Sequence, residues 1–189
     1  MINQRRFIQG LVFTALFAAL ICAGAFIAVP VGPVPMALQN FFTLLSGLVL
    51  GPFLGAAAVG LFLVAGVIGM PVFSNNGSPM GIARLMGPTG GYFAGYLLGA
   101  LAAGLVLGSP KQGEKLKVWR LALAAAMGIL VVYIPGLLRL KFFLDTWPKT
   151  LAAGFYPFLI GDAIKAVVAA LITPRLRKTA ARQLGAGFR

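Results

Sequence analysis

Apolar residues gather along this chain in long runs rather than in strand-like alternation. Six runs stand out, at about 8–28, 37–51, 53–69, 90–108, 119–140 and 156–173. Roughly 20 apolar residues are enough for a helix to cross a hydrocarbon core, and a span that long has to be helical because only a helix satisfies its own backbone in lipid. The pattern therefore predicts an all-α integral membrane protein: one domain over 1–189, with six transmembrane helices. The second run is short, and Gly51-Pro52 makes a tight break before the third, which predicts a hairpin with almost no polar connection. Trp119 and Trp147 fall near the two ends of the fifth run, where interfacial indoles are common.

Composition strengthens this reading. Of 189 residues, 60% are hydrophobic and 10% charged, with 25 glycines and no histidine, far from the balance of a water-soluble domain. The net charge of +13 is open to two explanations, nucleic acid or a membrane surface. Placement separates them. Most basic residues lie in three places: Arg5 and Arg6; Lys111, Lys115, Lys117 and Arg120; and Arg175, Arg177, Lys178, Arg182 and Arg189. That is the positive-inside distribution, and it puts both termini, the loop 109–118 and a basic tail 174–189 on the cytoplasmic side. No polar segment interleaves basic and aromatic residues as a nucleic-acid groove does, so no nucleic-acid partner is expected. Arg5-Arg6, an apolar run and Ala23-Gly24-Ala25 imitate a signal peptide, but equally apolar sequence follows, which favours a retained first helix.

The outer connections differ in kind. VPVGPVPMALQ is proline-rich and uncharged, which favours extended backbone, while PVFSNNGSPMGIARLMGPTGG combines turn formers with Asn75, Asn76 and Arg84. Such structured outer loops over a small bundle predict a capped cavity. Small residues recur every four positions: Ala15, Ala19 and Ala23 in the first run, Gly91, Gly95 and Gly99 in the fourth, and Gly47, Gly51 and Gly55 across the hairpin. Rows of this kind let helix backbones approach closely. The glycine rows are read as packing inside the bundle; the alanine stripe is read either that way or as a face for a partner subunit.

The sixth run carries the chemistry. In FLIGDAIKAVVAA, Asp162 and Lys165 stand three apart within apolar sequence. Each ion would cost about 2.5–3.5 kcal/mol at the centre of a membrane helix, and positions i and i+3 share a face, so the two are expected to compensate each other and point inward. Pro157 starts or kinks this helix, which sets Asp162 about 8 Å from its outer end at 1.5 Å per residue. Buried ion pairs are often no more stable than apolar replacements, so a pair kept here is better explained by a ligand than by packing. A small, largely apolar molecule with amide-like donors and a carboxylate fits: Asp162 accepts its N–H groups, Lys165 or Arg84 balances its charge, and Asn75 and Asn76 suit a urea or amide.

Other chemistry is absent from the sequence. In GSPKQGEK, Gly108 and Gly113 have P-loop spacing, but Glu114 replaces the lysine and no Ser or Thr follows, so the chain is not expected to hydrolyse ATP alone. With no histidine, one cysteine in an apolar run and three carboxylates, no catalytic constellation, metal site or cofactor is expected. Asp162 is the single intramembrane acid, which is thin support for an ion-coupled symporter.

Several segments together resemble the biotin-specific substrate-binding subunit of energy-coupling-factor transporters, the BioY family. They are VPVGPVPMALQNFF (29–42), LVLGPFLGAAAV (48–59), GVIGMPVFSNN (66–76), GPTGGYFAGY (87–96) and FYPFLIGDAIKAVVAALITPRL (155–176), in the family's order. The resemblance implies a six-helix bundle in the bacterial cell membrane that holds biotin near the outer face. It implies polar contacts from Asp162 and Lys165, contact with the bicyclic head from Asn75 or Asn76, and cavity walls from Tyr92 and Gln39. Arg84 lies where the family varies. Ala15, Ala19 and Ala23 resemble the AxxxA surface that docks on a transmembrane coupling protein, and two cytoplasmic ATPase subunits would supply the energy. Biotin, with two N–H donors and a carbonyl in its ureido ring, a thioether ring and a carboxylate tail, agrees with the ligand inferred from the charges. Other readings are a subunit for another vitamin, a stand-alone carrier or a membrane scaffold.

Overall fold

The computed structural model describes residues 2–29, 34–73 and 81–184, and its architecture is all-helical apart from one two-residue strand pair. Helix α1 (Ile2–Phe26) leads to an antiparallel pair of strands, β1 (Ala28–Val29) and β2 (Met36–Ala37), in which Ala28 faces Ala37 and Val29 faces Met36. Helices α2 (Gln39–Leu50), α3 (Pro52–Val67), α4 (Ile82–Met86), α5 (Gly90–Leu107), α6 (Val118–Leu144), α7 (Trp147–Gly154) and α8 (Leu159–Leu184) follow. Each of the six major helices overlaps one of the six apolar runs, with α1 starting earlier and α8 ending later than its run. Among the described residues, four stretches are long and apolar enough to cross a membrane: 4–26, 90–107, 118–144 and 147–184, the last of which takes in both α7 and α8; α2 and α3 are shorter apolar helices.

The short α2 is the hub, packing on α1, α3, α5, α6 and α8. It is buried continuously from Thr43 to Leu50, and a helix enclosed on every side has to be apolar nearly all round. Gly51 ends it with φ +84°, a conformation that suits glycine, and Pro52 opens α3 at a position where its missing N–H costs nothing. The outer shell is the reverse of a soluble protein's. Leu11, Leu16, Phe53, Leu105, Leu130, Ile134, Ile164 and Leu171 all stand exposed, forming the apolar belt expected of a lipid-facing surface.

Glycine sets the tightest crossing. Methyl groups built at Gly91, Gly95 and Gly99 of α5 would overlap the α6 backbone at Pro135, Val132 and Gly128, so this row packs inside the bundle. Gly47 meets Ala100 on α5, and Gly55 meets Gly47, in the same manner. At Gly95 the added carbon would stand 2.5 Å from the Val132 carbonyl oxygen. Gly95→Val is therefore expected to destabilise the protein by about 1–3 kcal/mol or more, seen as a lower melting temperature in detergent.

The basic segment after 173 departs from the expected tail. Helix α8 runs through Pro174 to Leu184. Proline there removes one backbone donor, and on the preceding residue the Thr173 hydroxyl donates to the Ala169 carbonyl at 2.6 Å. Within this extension Arg177 is buried, 2% exposed, rather than solvated. Its Nη1 donates to the carbonyls of Leu48 (2.8 Å) and Gly108 (3.0 Å), and its Nε and Nη2 donate to Glu114 Oε2 (3.2 and 2.8 Å). One guanidinium thus caps the unsatisfied C-terminal ends of α2 and α5 and holds the 109–117 loop against α8.

Candidate functional site

The other end of α8 holds the predicted pair. Pro157 lies in a 3₁₀ turn, Tyr156–Phe158, immediately before α8, so Asp162 falls in that helix's first turn, where the positive end of the backbone dipole favours a carboxylate. Lys165 Nζ stands 3.2 Å from Asp162 Oδ1, one helical turn on. Both side chains are largely buried.

Two residues that the sequence reading passed over complete the cluster. Asn40, in the first turn of α2, donates from Nδ2 to Asp162 Oδ1 at 2.8 Å and accepts from Lys165 Nζ at its Oδ1 at 2.7 Å. Tyr133 of α6 donates its hydroxyl to Asp162 Oδ2 at 2.6 Å. Lys165 adds a bond to the Ala37 carbonyl at 3.0 Å, fixing the strand β2 beside it. Asp162 thus accepts three hydrogen bonds and Lys165 donates three, drawn from α2, α6, α8 and β2, which makes the cost of burying the charges bearable. The partners lie 122 and 29 residues from Asp162 in sequence.

Two small spaces adjoin the cluster. One, about 30 Å³, is lined by Val34, Met36, Tyr92, Tyr133 and Phe158 among others; the second, about 20 Å³, reaches inward between α2, α5 and α6. Asn40, Tyr96, Val132, Asp162 and Lys165 border both, so the charges sit at the junction. Among the described residues, each space has room for about one water. Aromatic rings wall the outer side: Tyr133 meets Tyr92 edge-on at 6.4 Å and Phe155 at 4.9 Å, and Tyr92 donates its hydroxyl to the Gly154 carbonyl at 2.8 Å, tying α5 to α7.

The remaining predicted residues are placed unequally. Tyr92 lines the outer space. Gln39 is fully buried but lines neither space, and its amide has no partner among the described residues; its neighbour Asn40 reaches the charges instead. Arg84 lies half-buried on α4 and lines neither space, and burial lowers its guanidinium pKa. Asn75 and Asn76 fall outside the described residues. Ala15, Ala19 and Ala23 are all exposed, on the side of α1 opposite the buried Phe17, Ala18, Ile21 and Ala25. Between α4 and α6 there is a further tether: Arg139 of α6 donates to the carbonyls of Met86 and Gly87, capping α4.

The characteristic pattern of the BioY family matches residues 2–182. This chain belongs to the BioY family. It is 42% identical over 168 residues to the biotin transporter BioY of Thermotoga maritima, covering 89% of this chain and 95% of that one. It is 33% identical over 186 residues to the biotin transporter BioY of Lactococcus lactis, with 93% of each covered. Its fold is similar to a crystal structure of the S-component for biotin from an ECF-type ABC transporter, with a TM-score of 0.79 and 30% identity over 94% of both chains. The all-helical bundle is thus an S-component fold, and the apolar belt of this BioY-family chain is that of a membrane protein.

Proposed function

We propose that this protein is the biotin-capturing membrane subunit of a vitamin importer. The observation that carries the reading is the Asp162–Lys165 pair, held inside an apolar bundle by Asn40 and Tyr133 and bordered by aromatic rings, in a chain of the BioY family. A urea-containing ligand with a carboxylate carries groups that can replace the internal partners of this cluster: N–H donors, a carbonyl acceptor and an anion. The ureido N–H groups bond to Asp162, with Lys165 and Asn40 addressing the carbonyl or the carboxylate, and the thioether ring lies among Tyr92, Tyr133 and Phe158. Asn75 or Asn76 contacts the bicyclic head, Arg84 contributes positive charge from the outer loop, and Gln39 supports the wall from behind.

The charged groups of the cluster are already hydrogen-bonded to protein partners, and the adjoining spaces hold about a water each, so binding exchanges internal hydrogen bonds for ligand bonds and opens the site. Most of the net affinity then comes from apolar burial, and specificity comes from the polar exchange. Six helices cross a bacterial plasma membrane with both termini in the cytoplasm, and the subunit acts in transport rather than catalysis. A coupling protein and two ATPase subunits drive inward release.

Calorimetric titration of the purified chain with biotin tests the ligand. Saturable binding to one site supports the reading; no heat with biotin, together with thermal stabilisation by riboflavin or thiamine, would move the assignment to another vitamin. Partner docking is assigned to the exposed alanine stripe. Ala19→Leu is expected to leave biotin affinity unchanged and to reduce uptake about tenfold when the energising subunits are present, because the larger side chain blocks close helix approach. Lost binding in that variant would instead assign the stripe to internal packing.

A further inference from the structure

A much larger cavity, about 520 Å³, opens at the Arg177 end of the bundle, between α8 and the loop that precedes α6. Its floor is the buried Arg177–Glu114 pair, in which the single carboxylate is already neutralised. Lys111, Lys178 and Arg182 line it with exposed side chains, and none of the three forms an ion pair among the described residues. Leu116 and Pro174 supply an apolar edge. The lining is therefore a concave surface with three uncompensated cations and one greasy side.

Its depth in the membrane follows from the chain. Helix α6 begins at Val118, directly after the lining loop, and Val118 and Trp119 are 81% and 60% exposed, so the chain enters the apolar belt within a residue or two of the cavity. Trp119 marks the interface, as indoles do. On the other side, Pro174 lies just past the last apolar stretch of α8. The cavity sits at the level of lipid headgroups, and basic pockets between helix ends at that level suit phosphate-bearing lipids.

We infer that this cavity binds the phosphodiester headgroup of an anionic phospholipid, with Lys111, Lys178 and Arg182 around the phosphate and the glycerol and first acyl carbons along Leu116 and Pro174. The inference rests on the chain being membrane-embedded and not on the identity of the vitamin. The bound lipid holds α8 and the 109–117 loop together, at the end of the helix opposite the ion pair.

The test uses the full chain in detergent micelles doped with phosphatidylglycerol or phosphatidylcholine, with bound lipid counted by native mass spectrometry. The parent is expected to retain phosphatidylglycerol in preference to phosphatidylcholine. Lys178→Gln/Arg182→Gln should lower phosphatidylglycerol affinity about twenty-fivefold, since each juxtamembrane cation contributes about fivefold. The control pair Lys141→Gln/Lys149→Gln, at the other end of the bundle, should change it by no more than about twofold. Biotin titration confirms that each variant is folded; should the vitamin reading fail, melting temperature serves the same purpose. Equal lipid retention by parent and Lys178→Gln/Arg182→Gln overturns the proposal. So does displacement of the lipid by millimolar inorganic phosphate, which would reassign the site to a soluble anion, or the absence of any lipid preference coupled with protection of Lys178 from labelling only when the coupling protein is present.

Discussion

Asp162→Asn is expected to yield a folded protein that binds biotin about a hundredfold more weakly, measured by calorimetry in detergent. Hydrogen bonds to a charged acceptor contribute about 1.5–3 kcal/mol each, and in the proposed binding mode the carboxylate accepts from ligand N–H groups, so losing its charge forfeits about 3 kcal/mol, or two powers of ten. The amide keeps the size of the side chain and one carbonyl oxygen. Lys165 still donates to the Ala37 carbonyl and to Asn40 Oδ1, which limits the damage to the ligand-free fold. Asp162→Ala is harsher, because Tyr133, Asn40 and Lys165 all lose their shared acceptor. Removing one partner of a buried pair typically costs about 3–5 kcal/mol, so that variant should lose stability as well as binding. The comparison separates the two roles of the pair. A purely structural pair would give lower stability in both variants with biotin affinity per folded molecule unchanged; that result, seen also in Lys165→Gln, would overturn the site.

The helices were legible because each apolar run has the length and composition that a lipid solvent demands, and the Gly51-Pro52 break needed only the geometry of those two residues. The ion pair was legible because i and i+3 share a helix face. Asn40 and Tyr133 were not, since their link to Asp162 is made by tertiary packing across 122 and 29 residues. A signal for Asn40 did exist: an amide in the first turn of an apolar helix needs a partner, by the same cost argument that singled out Asp162. Gln39 carried that signal equally, and only the 100° turn per helical residue decides which of the two reaches α8. The small-residue rows show the same limit. Gly91, Gly95 and Gly99 pack on α6 while Ala15, Ala19 and Ala23 face outward, although their spacing is identical. Arg177 was hidden for a different reason: a basic residue just beyond a span satisfies the charge bias whether it is solvated or buried.

Arg177 should give a stability effect as large as that of Asp162→Ala. Arg177→Ala leaves Glu114 without its counter-charge and the Leu48 and Gly108 carbonyls without a donor, at the buried ends of two helices. Breaking a buried pair in this way costs about 3–5 kcal/mol, a large part of the stability of most domains, and is read as a lower midpoint in detergent-based thermal unfolding. Arg177→Lys keeps the charge but not the fork. An ammonium cannot span a carboxylate and two carbonyls from one planar group, so rescue should be partial, recovering about half of the loss. Glu114→Gln should be milder, about 1–2 kcal/mol, because its side chain is 19% exposed and the amide oxygen still accepts from the guanidinium. Biotin affinity per folded molecule should stay unchanged across the series, since fifteen helical residues, about 22 Å, separate Arg177 from Asp162. Loss of affinity in Arg177→Lys with stability retained would instead mean that the two ends of α8 are coupled, so that the cap on α2 and α5 also sets the geometry of Asn40 and the ion pair.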